Sequence, residues 1–128
     1  MQTQALAIVT SGPLRIDARA VQAIEASREH VSQVRIANYL GRNRPEQLSH
    51  LTNGDLLRIT EDSAGISRSL GIRSERGHAR WAYLMMMSGG EAARTPAATD
   101  YVKRSADPDK AVKELIAETA AVFRRGVA

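Results

Sequence analysis

The stretch Ile66-Ser-Arg-Ser-Leu-Gly-Ile-Arg-Ser-Glu-Arg-Gly-His-Ala-Arg-Trp-Ala-Tyr-Leu-Met-Met-Met-Ser-Gly-Gly90 decides the fold. It reads as the end of one helix, a tight turn, and a second helix with apolar residues on nearly every side. Leu70-Gly71-Ile72 has the form of a glycine C-cap, in which Gly71 takes the left-handed conformation at no Cβ penalty and its apolar neighbours pack across the turn. Ser74 is placed to cap the next helix. Glu75 falls in its first turn, where the helix dipole favours a negative charge. From Ala79 to Met87 too few polar positions remain to leave a whole face in water. Such a helix either runs through the centre of the molecule or holds a second apolar face for a partner.

Outward from this stretch the punctuation is helical throughout. Asp17 is a candidate N-cap for a helix to about Leu40, with Val21, Ile24, Val31, Val34 and Tyr39 or Leu40 at helical spacing and Gly41 as its stop. Arg42-Asn43-Arg44-Pro45 connects, and Pro45 opens a short turn through Leu48 or Leu51. Thr52-Asn53-Gly54-Asp55 begins a second helix whose apolar positions Leu56, Ile59, Ile66 and Leu70, with Ser63 among them, follow a three-four spacing. Gly65 inside it costs about 1 kcal/mol relative to Ala, which a close approach by another helix would explain. The third helix spans 75–88 and closes at Gly89-Gly90. Thr95-Pro96 opens a short helix to about Lys103. Asp107-Pro108 opens a last one to about Arg125, with Val112, Leu115, Ile116, Val122 and Phe123 facing inward and basic residues at its end. No alternating apolar run supports a sheet. The expected fold is all-α, a compact bundle of about four to five helices over residues 14–128, preceded by a short arm over residues 1–13 that ends in Ser11-Gly12-Pro13.

A chain of 128 residues is long enough to bury one real core without staples. It has no cysteine, which removes disulfides, thiolate chemistry and Cys-based zinc sites and fits a reducing compartment. The formal net charge is +4, and Arg supplies 15 of the 18 basic residues. The signs are interspersed as on an ordinary solvated face, so a pI near 10 permits nucleic-acid binding without arguing for it. The first nine residues have no basic leader and too short an apolar run for a signal peptide or a membrane span. The expectation is a cytoplasmic protein with no membrane attachment.

The chemistry-bearing residues do not assemble into a site. His30, His50 and His78 stand far apart, and Glu75 with His78 makes two potential ligands where a metal needs more. No serine sits in a nucleophile elbow, and Gly89-Gly90 lacks the Lys and Ser/Thr of a phosphate loop. No catalytic, cofactor or metal residue is therefore assigned, and no enzyme is expected. A helix-turn-helix is the alternative to weigh, since Arg73, Ser74, Arg76 and Arg80 open a helix after a glycine turn. Against it, that helix becomes Trp-Ala-Tyr-Leu-Met-Met-Met within two turns, and Gly77 stands where such motifs place an apolar residue. Met85-Met86-Met87 points in three directions, so at least one methionine leaves the main core stripe. Methionine beside Trp or Tyr is adaptable and suits a docking surface, although burial on all sides would account for it equally.

The order and spacing of several short pieces resemble small helical proteins encoded beside type VI secretion adaptor (effector-chaperone) and spike genes in proteobacteria. The matching pieces are Tyr39-Leu40-Gly41-Arg42, Pro45-Glu46-Gln47, Leu70-Gly71-Ile72, Ser74-Glu75-Arg76, Ala79-Arg80-Trp81, Leu84-Met85 and Gly89, over about residues 16–91. Departures are Gly77-His78 in place of Asp-Val, Arg44 in place of an aromatic residue, and Gly90-Glu91-Ala92-Ala93 in place of a Pro-x-Phe-acidic stretch. The resemblance implies an accessory role, a co-adaptor or co-chaperone that holds an adaptor while it loads an effector, and carries no catalytic residues.

Residues and resemblance together give the expectation of a non-enzymatic protein-binding factor for type VI effector loading. Tyr39, Trp81, Met85 and Met86 form its expected partner-binding patch, with arginines at the rim steering the encounter. The expected partner is a type VI adaptor or effector, with a homodimer as a further possibility. The alternatives are a helix-turn-helix DNA-binding protein, with nucleic acid the less favoured partner, and an immunity protein for a co-encoded toxin.

Overall fold

A computed structural model describes residues 17–127, with 120–127 as helix backbone alone. The described residues form six α-helices and one short 3-10 turn, with no strand among them, so the chain is all-α. The helices are α1 (Ala18–Asn43), α2 (Asn53–Ser69), α3 (Glu75–Ser88), α4 (Glu91–Arg94), α5 (Pro96–Arg104) and α6 (Pro108–Val127), and the 3-10 turn is Glu46–Leu48. The short α4 was not expected and takes the count above five. The arm expected over residues 1–13 lies outside the described residues, as do the side chains of Val122 and Phe123.

The local signals act as capping chemistry requires. Asp17 Oδ1 accepts the Ala20 N–H at 2.7 Å. Thr52 and Asp55 form a full capping box, the Asp55 N–H donating to Thr52 Oγ1 at 3.1 Å and the Thr52 N–H to Asp55 Oδ2 at 2.9 Å. Gly71 takes φ +89°. The Ile72 N–H donates to Ser67 O and the Gly71 N–H to Arg68 O, the paired bonds of a Schellman turn that satisfy the orphan carbonyls of α2. Ser74 Oγ accepts the Gly77 N–H at 2.9 Å, and Gly89 ends α3 at φ +61°.

Two expectations about glycine are corrected. Gly41 does not stop α1, which runs on to Asn43. Gly65 is exposed, and nothing lies within 4 Å of where its Cβ would be, so no helix approaches it. The close approach is at Gly77 instead. A Cβ there would meet Ile72 Cγ2 at 2.7 Å and the Asp109 carboxyl at 2.8 Å.

The chain divides into two units, Met1–Val31 and Ser32–Ala128. Of the first, the described part is the opening half of α1, where Val21, Ile24 and Val31 are 39%, 44% and 47% exposed. Val34, in the second unit, is also exposed. These four recur at helical spacing in the sequence, yet none of them is buried. The buried residues of α1 are Ile36 and Leu40, one turn apart and rotated by roughly 200° from Val34 at about 100° per residue.

Within the second unit, α3 has a core on each of two faces. Trp81 and Leu84 pack with Leu70, Ile72, Ala92, Val102, Ala111 and Val112. Ala79, Ala82 and Met86 pack with Ile36, Leu40 and Leu56. Of the two readings open for this helix, passage through the centre is the one realised: Trp81 is 0% exposed and Met86 3%. The strip between them holds Arg76, exposed, and Arg80, Tyr83 and Met87, half-buried, all within about 60° of one another around the helix, with Tyr83 and Met87 packed against the second core.

Candidate functional site

The four residues expected to form one docking patch are distributed over different surroundings. Trp81 lies wholly in the first core, and its Nε1–H meets no acceptor. Met86 is buried in the second core. Both are therefore corrected from surface anchor to core, because α3 has packed helices on the two faces they occupy. Met85 is half-buried against the first core, and Met85 and Met86 together line an apolar groove of about 360 Å³ with Leu48, Leu51 and Ile59. Tyr39 is half-buried, its ring edge-on to Tyr83 with centroids 6.3 Å apart. It lines a different and larger groove.

That larger groove, of about 630 Å³, runs between the last turns of α1 and the first turns of α3. Arg35, Asn38, Tyr39 and Arg42 come from α1, and Glu75, Arg76 and Arg80 from α3, with Ile36 and Ala79 below them. Four guanidinium groups thus surround one carboxylate. Arg35 holds that carboxylate by two bonds, Nη2 to Glu75 Oε1 at 2.7 Å and Nε to Oε2 at 2.9 Å, and Ser32 Oγ donates to Oε1 at 2.7 Å. The fork geometry and the added hydroxyl hold Glu75 down at about 2, against a usual value of 4.5. Arg42, Arg76 and Arg80 have no ion or hydrogen-bond partner among the described residues. The sequence led to unnamed arginines at a rim, with Arg76 and Arg80 weighed only for a helix-turn-helix and Arg42 only as part of a connector. Their spacing was the available signal, since residues four or seven apart share a helix face, but nothing in the sequence set the α1 face against the α3 strip.

A second polar cluster joins α2, α3 and α6. Ser67 Oγ, fully buried, bonds His78 Nδ1. Asp109 accepts from Ser74 Oγ, from the Ser74 N–H at 3.3 Å and from the Arg73 N–H at 3.2 Å. Burial pushes His78 below its ordinary 6.5, with Arg68 adding to the shift and Asp109 and Glu75 opposing it. Ser, His and Asp are the residue types of a nucleophilic triad, but the roles do not fit. The serine hydroxyl is closed off from any substrate, and the carboxylate is occupied by the turn before α3. The arrangement is a lock on the helix junction, and the missing Cβ of Gly77 is what admits Asp109 to it.

Among the described residues no group of three or more His, Asp or Glu side chains could hold a metal ion, and no helix is long and apolar enough to cross a membrane. No family model, curated protein or solved structure matches the chain.

Proposed function

We propose that this protein is a non-enzymatic docking module that binds a partner protein through the groove between α1 and α3. The observation that carries this reading is the set of three unpaired guanidiniums, Arg42, Arg76 and Arg80, gathered around an apolar floor with Tyr39 at its side. Charged groups held at the edge of an apolar surface raise encounter rates and fix orientation, while the uncharged floor excludes water from the contact. The apolar groove beside Met85 adds an uncharged surface of the adaptable kind that methionine provides.

The resemblance in residues 16–91 gives the partner class: a type VI adaptor or effector, with this protein as co-adaptor in effector loading. A helix-turn-helix reading is disfavoured by the burial of α3. A recognition helix must present a free face to the major groove, and beyond its first turn α3 has only the narrow, half-buried strip of Arg80, Tyr83 and Met87 to offer.

The test is co-purification of the tagged full chain with the products of its neighbouring genes from the native host, read by mass spectrometry. Wild type is expected to bring down an adaptor or effector in stable stoichiometry, and the Arg76→Glu/Arg80→Glu variant to lose it. Capture that survives the charge reversal would remove the groove from the account. Recovery of nucleic acid alone would remove docking itself.

A further inference from the structure

We propose that the occupant of the α1–α3 groove is an acidic peptide segment of the partner, its carboxylates held by Arg42, Arg76 and Arg80 and its apolar side chains laid on Ile36, Ala79 and Tyr39. The inference rests on the docking reading above and adds the chemistry of what docks. Charge complementarity carries it. The groove has one carboxylate to four guanidiniums, and that carboxylate, Glu75, is fully engaged by Arg35 and Ser32. Glu75 also shows how a ligand carboxylate is taken here: in a two-bond fork from an arginine, with the stem resting beside apolar side chains.

The spacing is that of a peptide and not of a small anion. Arg76 and Arg80 are one helical turn apart, about 6 Å along α3, and Arg42 lies two turns, roughly 10 Å, beyond Arg35 on α1. Two acidic side chains a turn apart in a bound helix, or alternate residues of a bound strand, match such a ladder. A phosphate would seek the amide groups at the start of α3. Of these, the Gly77 N–H is held by Ser74 Oγ, and Asp109 holds the Arg73 and Ser74 N–H groups that lead into the helix. Asp109 places a further carboxylate at that helix end, outside the arginine groove, which opposes a free phosphate there.

Fluorescence anisotropy of the full chain with a fluorescein-labelled peptide of the repeat Leu-Glu-Glu-Leu tests this, with a short DNA duplex and inorganic phosphate as competitors. The peptide is expected to bind in a salt-dependent manner and to weaken by about tenfold or more in Arg42→Ala/Arg76→Ala/Arg80→Ala. Binding should be unchanged in Lys103→Ala/Arg104→Ala, which removes two exposed cations from α5. Glu75→Gln frees Arg35 and deletes the resident carboxylate, so the peptide should bind about threefold tighter; a merely structural Glu75 would give weaker binding or none. If the alanine variant loses its far-UV circular dichroism, the Arg→Lys version at the same three positions keeps the charge, loses the fork and is expected to fall between the two. Equal loss in the α5 control, no peptide binding, or displacement by DNA or phosphate at lower concentration than by unlabelled peptide would each overturn the proposal. If the chain still captures an adaptor or effector through the groove arginines while the peptide fails, docking stands and the acidic segment falls. Loss of both removes both.

Discussion

Gly77 and Gly65 look alike in the sequence, each a glycine inside a helix, yet they behave oppositely on substitution. At Gly77 a Cβ collides with Ile72, which is 2% exposed, and with a carboxyl held in place by three hydrogen bonds. Gly77→Ala is therefore expected to lower stability by about 1–2 kcal/mol net, the overpacking cost exceeding the helix-propensity gain. At Gly65 the space is open, so Gly65→Ala should stabilise by up to about 1 kcal/mol. Urea unfolding followed by circular dichroism measures both, and a gain at Gly77 would contradict the packing described here. Neither outcome was legible in the sequence, because crowding at a glycine is a property of what the fold brings alongside. Gly71, by contrast, was legible: the need for a left-handed residue is local and shows in Leu70-Gly71-Ile72 itself.

Helix boundaries followed the sequence closely wherever a cap or a proline marked them, as at Thr52, Ser74, Gly89, Pro96 and Pro108. The face each helix buries was less legible. In α1 the apolar residues Val21, Ile24, Val31 and Val34 outnumber the buried pair Ile36 and Leu40, and periodicity cannot say which of two apolar strips meets a neighbour. Ile24→Glu is expected to shift the unfolding midpoint little, within about 0.5 kcal/mol, whereas Ile36→Glu puts an unpaired charge into the second core and should cost several times as much. The junction of α2, α3 and α6, together with the Arg35–Glu75 fork between α1 and α3, gives the protein its acid response. His78 is held below 6.5 in the folded state, so its contribution is fully present above that pH and fades as pH falls through the folded value. Glu75 and Asp109 are also lowered, Glu75 from 4.5 to about 2, so theirs is present above the ordinary carboxylate range and is lost as pH falls toward 2. A plot of thermal midpoint against pH should therefore decline in two stages. His78→Gln should remove the first and Glu75→Gln should shrink the second. A single acid transition unaffected by either substitution would refute this assignment.

Across the second unit, two cores share one helix, so damage to either is expected to loosen both. Trp81→Ala should cost about 3–5 kcal/mol and Leu40→Ala about 2–5 kcal/mol, each moving the same cooperative transition although they sit in different clusters. Hydrogen exchange resolved along the chain would show separate transitions if α3 did not couple them. The expected docking patch was partly legible for the same reason that it was partly wrong. Composition marked α3 as unusual but did not distinguish a helix covered on both faces from one waiting for a partner. The groove arginines came from two distant segments, and only the fold joins them. The burial of Trp81 has one more consequence. It is the only tryptophan in the chain, shut away from water with an indole N–H that meets no acceptor. Its emission should be blue-shifted in the native protein and move to the red only as the core opens. Because it does not line the arginine groove, a ligand seated there leaves that colour unchanged. The protein thus carries its own optical gauge of folding, one that stays silent on occupancy.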